Sequence, residues 1–221
     1  MTPRYKAILF DMDETLISID AAFEKAYALL SNEYPSLIHE DDQSQYKQLV
    51  YFSRHYDSTT RPEAWGLFAQ TWGIDVPYEA FWRRWMELYT SQATPFPWSE
   101  PLLAELKRLG VKIGLVTNGH IAVQQSKINS CGLKSYFDDI IISEEIGIAK
   151  PDPHILFLAC KHLNVETREC LFVGDNANTD IAGAKAAGMD CLWITNKEKN
   201  KIGATYFSPD TRILLQIIEG K

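Results

Sequence analysis

Five short apolar runs punctuate the chain, at Ala7 to Phe10, Val111 to Val116, Ile140 to Ile142, Leu171 to Val173 and Cys191 to Ile194. Hydrophobic side chains fill nearly every position of these runs instead of alternate ones. That is the pattern of strands covered on both faces, as in a parallel sheet. Between the runs the spacing becomes helical. Leu102, Leu103, Leu106 and Leu109 share one helical face, with Ser99 placed to cap the start and Gly110 the end. A second helix is predicted to open at Asp152 and Pro153, a capping residue followed by proline at the first helical position, and to run to about Leu163. Strands alternating with helices predict an α/β core, a parallel sheet with helices on both faces.

One connection breaks the alternation. About 85 residues separate the first strand from the helix near Ser99, whereas a strand-to-helix loop is ordinarily about 2 to 6 residues. The intervening pattern is helical throughout: Ala21 to Glu33, Asp41 to Tyr56, Pro62 to Thr71 and Tyr78 to Tyr89, separated by Pro35, Pro62, Gly73 and Pro77. Residues 17–94 are therefore expected to form an inserted, all-helical domain, and residues 1–16 and 95–221 the sheet-bearing core. Thr15 to Ser18 and Thr94 to Pro97 would be the two crossings, a natural hinge for opening and closing over a site at the end of the first strand.

Composition narrows the partners. Of the 221 residues 46% are hydrophobic and 23% charged, which suits a globular chain with a sizeable core. A net charge of -7 opposes a nucleic-acid polymer or an anionic membrane as partner, because either needs a clustered basic face. The N-terminal Met-Thr-Pro-Arg-Tyr-Lys and the short apolar run after it fit neither a signal peptide nor a membrane span, so a cytoplasmic location is expected. Cys131, Cys160, Cys170 and Cys191 are too far apart for CxxC pairs and read as reduced core residues.

Polar chemistry is concentrated where strands end. The first runs into Asp11-Met12-Asp13-Glu14-Thr15, the second into Thr117-Asn118-Gly119, and the fourth into Gly174-Asp175 with Asp180 close behind; Lys150 follows the third in Ala149-Lys150-Pro151-Asp152. The carboxyl-end edge of a parallel sheet is where open α/β folds bind ligands. A DxDxT match alone arises too easily to carry a conclusion, and read singly the segment is a turn rich in capping residues, as Lys150 is a solvated lysine before a turn proline. Together the four segments place acids, a hydroxyl, an amide and a lysine on one edge.

In order and spacing these four motifs resemble the haloacid dehalogenase superfamily, and the helical insertion after the first is similar to that family's helical cap. The resemblance covers essentially the whole chain and implies a Rossmann-like core. It also implies a magnesium ion, with the backbone carbonyl of Asp13 among its ligands. The residue chemistry agrees. A phosphate monoester is doubly anionic and repels a carboxylate nucleophile, so attack by Asp11 needs a cation. Asp11 and Asp175 are the candidate direct Mg2+ ligands, and Asp180 would hold metal-bound water or Lys150. Asp11 would carry the phosphoryl group, Asp13 would act as general acid and base, and Thr117 and Lys150 would bind phosphoryl oxygens. Thr15 and Asn118 complete the phosphate-binding and supporting set.

Within that superfamily Asp13 argues against dehalogenases and phosphonate hydrolases, which resemble the chain less because they lack the second aspartate. Hexose-phosphate mutases share it, but many have Glu-Asp where this chain has Gly174-Asp175. The expected function is thus a Mg-dependent phosphatase acting on a small phosphorylated metabolite, as monomer or homodimer. A sugar phosphomutase or a non-catalytic binding module are the alternatives. Asp11 to Ser18 and Ile142 to Gly147 look like the pyrimidine 5'-nucleotidase and N-acylneuraminate-9-phosphatase branch, which points to a nucleoside monophosphate or a sugar phosphate. In the insertion, Trp65, Trp72, Phe81, Trp82, Trp85 and Tyr89 read either as the core of the helical domain or as a stacking surface. Arg54, His55, Arg61, Arg83 and Arg84 read either as a solvated face or as contacts to a second anionic group.

Overall fold

A computed structural model describes residues 3–34, 42–55, 60–196 and 202–220, together with the side chains in those ranges other than Asp42, His55 and Arg61. The chain divides into two compact units, residues 1–19 with 93–221, and residues 20–92. The division falls just inside the expected crossings because the crossings are themselves structured. Strands β2 (Ile17–Ser18) and β3 (Thr94–Pro95) pair antiparallel, Ile17 opposite Pro95 and Ser18 opposite Thr94.

In the larger unit, β1 (Ala7–Phe10), β4 (Lys112–Thr117), β5 (Asp139–Ile142), β6 (Cys170–Gly174), β7 (Asp190–Ile194) and β8 (Tyr206–Ser208) form one sheet. Its order is β5-β4-β1-β6-β7-β8 and every pairing is parallel. Strand periodicity sends Ile8 and Phe10 to one face, into a core with Leu106, Ile113, Leu115, Val173 and Leu214. It sends Ala7 and Leu9 to the other, with Val116, Ile155, Leu156, Phe172 and Trp193. The five expected strands are present: β1 as expected, β4 shifted by one residue, β5 and β7 one residue longer, and β6 one residue longer at each end. Strand β8 was not expected: it is three residues long and nowhere buried, so it has no continuous apolar run to announce it.

Helix ends move by a residue for identifiable reasons. Helix α5 (Ser99–Arg108) begins at Ser99 itself, whose hydroxyl donates to the Leu16 carbonyl at 2.7 Å and does not cap the helix. Leu109 ends it, and Gly110 follows in the left-handed conformation at φ 74°. Helix α7 (His154–His162) starts one residue after Pro153, with the Asp152 carboxylate accepting from the His154 amide. The four cysteines are buried and reduced. Among the described residues no helix is long and apolar enough to cross a membrane.

The smaller unit is helical: α1 (Ile19–Glu33, entering from the larger unit), α2 (Asp42–His55), α3 (Arg61–Trp72) and α4 (Tyr78–Ser91). Pro35 and the expected helix ends Asp41 and Tyr56 lie outside the described residues, as do the side chains of His55 and Arg61. The core reading of the aromatics holds for Trp65, Phe81, Trp85 and Tyr89, which are buried. Phe23 contacts both Trp85 and Tyr89, and Trp65 contacts Phe81 with ring centroids 4.4 Å apart. Two of the cations tie helices together at the surface, Arg54 to Asp20 and Arg84 to Glu33. Exposed pairs of this kind contribute about 1 kcal/mol or less each.

Candidate active site

The site grows from the end of β1. Past Phe10 the Asp11 amide still donates to the Val173 carbonyl of β6, at 2.9 Å, which keeps Asp11 in sheet register. The chain then turns sharply, the Met12 carbonyl accepting from the amides of Leu16 and Ile17. Glu14 stands at φ 56°, left-handed backbone uncommon outside glycine. Its carboxylate accepts from the Ile19 amide at 2.9 Å, a local hydrogen bond that supports the turn. Thr15 is buried in this turn, and its hydroxyl makes no hydrogen bond to the described residues.

Around Asp11 the other strand ends converge. The Lys150 ammonium lies 2.6 Å from Asp11 Oδ1 and 2.8 Å from Asp180 Oδ1, with the Phe172 ring 5.1 Å from Nζ. Only 1% of the Lys150 side chain is exposed. Its backbone is clamped by Asn118, whose Nδ2 donates to the Lys150 carbonyl at 2.8 Å and whose Oδ1 accepts from the Lys150 amide at 2.9 Å. The Asn118 side chain thus holds the Lys150 backbone in place.

The start of the following helix, α6 (Ile121–Ser130), is also engaged. Gly119 N donates to the Ser143 hydroxyl and Ile121 N to the Glu144 carboxylate. Thr117 Oγ1 accepts from Gln124 Nε2 at 2.5 Å.

Asp175 follows Gly174, the last residue of β6. Its carbonyl accepts from Trp193 Nε1 at 2.8 Å. A single π-turn, Ala177–Ile181, then brings Asp180 back so that its Oδ2 accepts from the Asn176 amide at 3.0 Å. Gly174 is required there: a Cβ on it would fall inside van der Waals contact of the Asp180 carboxylate. Asp11, Asp175 and Asp180 thereby each bring one oxygen within 4.8 Å of the others.

Two of these acids, Asp11 and Asp175, are held back from ionising by their surroundings. Burial pushes the Asp11 carboxyl up, to about 7, against the pull of Lys150 and with the help of Asp180 and Asp13. Burial and the Asp180 charge push Asp175 up to about 6. Burial alone would discharge Lys150, but Asp11 and Asp180 outweigh it and raise its pKa above the usual lysine range. Such an excess of acid is relieved by a hard cation, and a set made only of carboxylate oxygens suits magnesium.

Two residues at this edge escaped the sequence reading. Lys127 Nζ lies 2.7 Å from both carboxylate oxygens of Asp13, and Gln124 Nε2 bridges Thr117 Oγ1 to Asp13 Oδ2 at 3.2 Å. Both are buried on α6. Their signal was available as two polar residues, i and i+3, on the same stripe as buried Ile128.

Comparisons with known proteins identify the family. A profile of haloacid dehalogenase-like hydrolases matches residues 5–188. Glyceraldehyde 3-phosphate phosphatase of Methanopyrus kandleri is 32% identical over 193 residues, 83% of this chain and 81% of the relative. The pyrimidine 5'-nucleotidase YjjG of Escherichia coli is 31% identical over 192 residues, 85% of this chain and 84% of the relative. Among solved structures, the HAD-hydrolase YfnB of Bacillus subtilis, bound to magnesium, aligns with a TM-score of 0.74 over 98% of this chain and 99% of its own, at 24% identity, a likeness of fold.

Proposed function

Since the chain belongs to the haloacid dehalogenase-like hydrolase family and is a phosphatase, we propose that it hydrolyses small phosphate monoesters in two steps, with the phosphoryl group carried on Asp11. The observation that carries this reading is the setting of Asp11. It is a buried carboxylate at a strand end, held by Lys150 at 2.6 Å and within reach of Asp175 and Asp180.

In the first step the Asp11 carboxylate attacks phosphorus and the ester oxygen leaves, protonated by Asp13. In the second, water attacks the phosphorus of the aspartyl-phosphate, Asp13 takes its proton, and the bond to Asp11 breaks to free the carboxylate and inorganic phosphate. Lys150 restricts Asp11 to one orientation, favours its anionic form and faces the charge that spreads over the phosphoryl oxygens. Thr117 offers its hydroxyl to one of those oxygens. Asp11, Asp175 and the Asp13 carbonyl would hold a magnesium ion, with Asp180 anchoring Lys150 beside it. When bound, that ion offsets the repulsion between the dianionic substrate and the carboxylates.

For the substrate we propose an aliphatic phosphate ester, a nucleoside monophosphate or a sugar phosphate. The support is the pair of relatives above, named for a triose phosphate and for pyrimidine nucleotides. The test is phosphate release over these esters with and without chelator. Metal-dependent release that vanishes in Asp11→Asn is expected, and full activity of that variant would remove the reading. A mutase would instead interconvert sugar phosphates with little free phosphate.

A further inference from the structure

Two buried lysines stand behind two carboxylates at the sheet edge. Lys150 backs Asp11, and Lys127, 3% exposed at its side chain, backs Asp13, whose own side chain is 32% exposed. The arrangement is one-sided. Lys127 is itself buried and touches both oxygens of Asp13 at 2.7 Å, while about a third of the Asp13 side chain remains exposed. Gln124 adds a contact at 3.2 Å and ties Asp13 to Thr117 through the same nitrogen.

The plain alternative is that the pair merely fastens the Asp11–Ile17 turn to α6. Energetics weigh against that as the reason for a lysine. Taking an ammonium out of water costs several kcal/mol, and an apolar residue of similar volume in its place is often neutral or stabilising. A partner that remains about one-third open to solvent returns less of that cost than a fully enclosed one. What the lysine does supply is direction: an unpartnered aspartate in this turn would be free among its rotamers, whereas two short contacts from one ammonium select one.

We propose that Lys127 is a positioning residue for Asp13, aiming its carboxylate at the oxygen that leaves, with Gln124 coupling that orientation to the phosphate-binding Thr117. The inference rests on the reading of Asp13 as general acid. Orientation of this kind matters in proportion to how much the leaving oxygen needs a proton. An aliphatic alkoxide needs one; 4-nitrophenolate leaves without help.

The test compares kcat/KM, which reports the step that expels the leaving group, for 4-nitrophenyl phosphate and for the best aliphatic ester of the phosphate-release screen. In Lys127→Met the aliphatic ester should lose about 100-fold or more and 4-nitrophenyl phosphate about 3-fold or less, the size of effect expected of general acid catalysis. Lys127→Gln should show the same split, and Asp13→Asn serves as the reference for it. Equal losses on both substrates in the Lys127 variants, with the split retained in Asp13→Asn, would overturn the assignment of Lys127 alone. No split in Asp13→Asn would remove the acid role of Asp13, and the inference with it. If neither Lys127 variant folds, as judged by thermal unfolding, the pair is structural and the proposal fails.

Discussion

Individual side chains here are arranged for charge balance at the expense of stability. Asp175 lies in a partly buried acidic cluster that pushes its carboxyl up to about 6. An acid whose pKa is raised on folding adds stability below its unfolded pKa near 4 and loses it as pH rises through the folded value. The metal-free protein should therefore weaken between about pH 4 and pH 6 to 7 on account of Asp175, and of Asp11, whose carboxyl is raised to about 7. Asp175→Asn removes one charge from the cluster. In chelator at pH 8 it should raise the unfolding free energy by about 1–2 kcal/mol, discounted for solvent screening. At pH 4 it should change little, and it should release no phosphate. Denaturant unfolding at the two pH values checks this; an equal effect at both would dissociate the acid from the cluster's strain.

Elements are joined at the site by side chains that act on backbone. Asn118, at the end of β4, makes two hydrogen bonds to the peptide groups of Lys150, which lies in the connection between β5 and α7. Replacing it by alanine leaves both groups of a buried residue without their partners, at about 1–3 kcal/mol each. It also releases the segment that sets the Lys150 ammonium, and a misplacement of about 1 Å in a positioned group lowers rate by as much as about 100-fold. Asn118→Ala should thus lower kcat by about 10- to 100-fold while the protein stays folded. Wild-type kcat in that variant would assign the clamp to stability alone.

At the level of the whole molecule the acid excess makes the fold responsive to its cation. Three carboxylates share one ammonium at the sheet edge, in a chain of net charge -7. A ligand that binds only the folded state stabilises it by about 2.7 kcal/mol at a hundredfold excess over its dissociation constant. Magnesium should accordingly raise the thermal midpoint of the wild-type protein, and the increase should be lost in Asp175→Asn. An undiminished shift in that variant would place the ion elsewhere.

The sheet was legible in the sequence because strands covered on both faces must be apolar at successive positions, and β1, β4, β5, β6 and β7 are. The helical insertion was legible for a comparable reason, since its periodicity outlasts any ordinary loop. Asp11, Asp175 and Lys150 could be singled out because each follows a strand, where a parallel sheet presents its ligand edge. What the chain order could not express is which polar groups already satisfy one another. Only the fold commits Asn118 to the Lys150 backbone and occupies the amides of Gly119 and Ile121 with Ser143 and Glu144. Lys127 is the clearest case. Along the chain it is one lysine in a helix; in space it is buried behind Asp13, 114 residues away in sequence. The physical reason is that hydrophobic patterning is set by each residue's neighbours along the chain, whereas pairing of charges depends on distances that exist only once remote strands lie side by side.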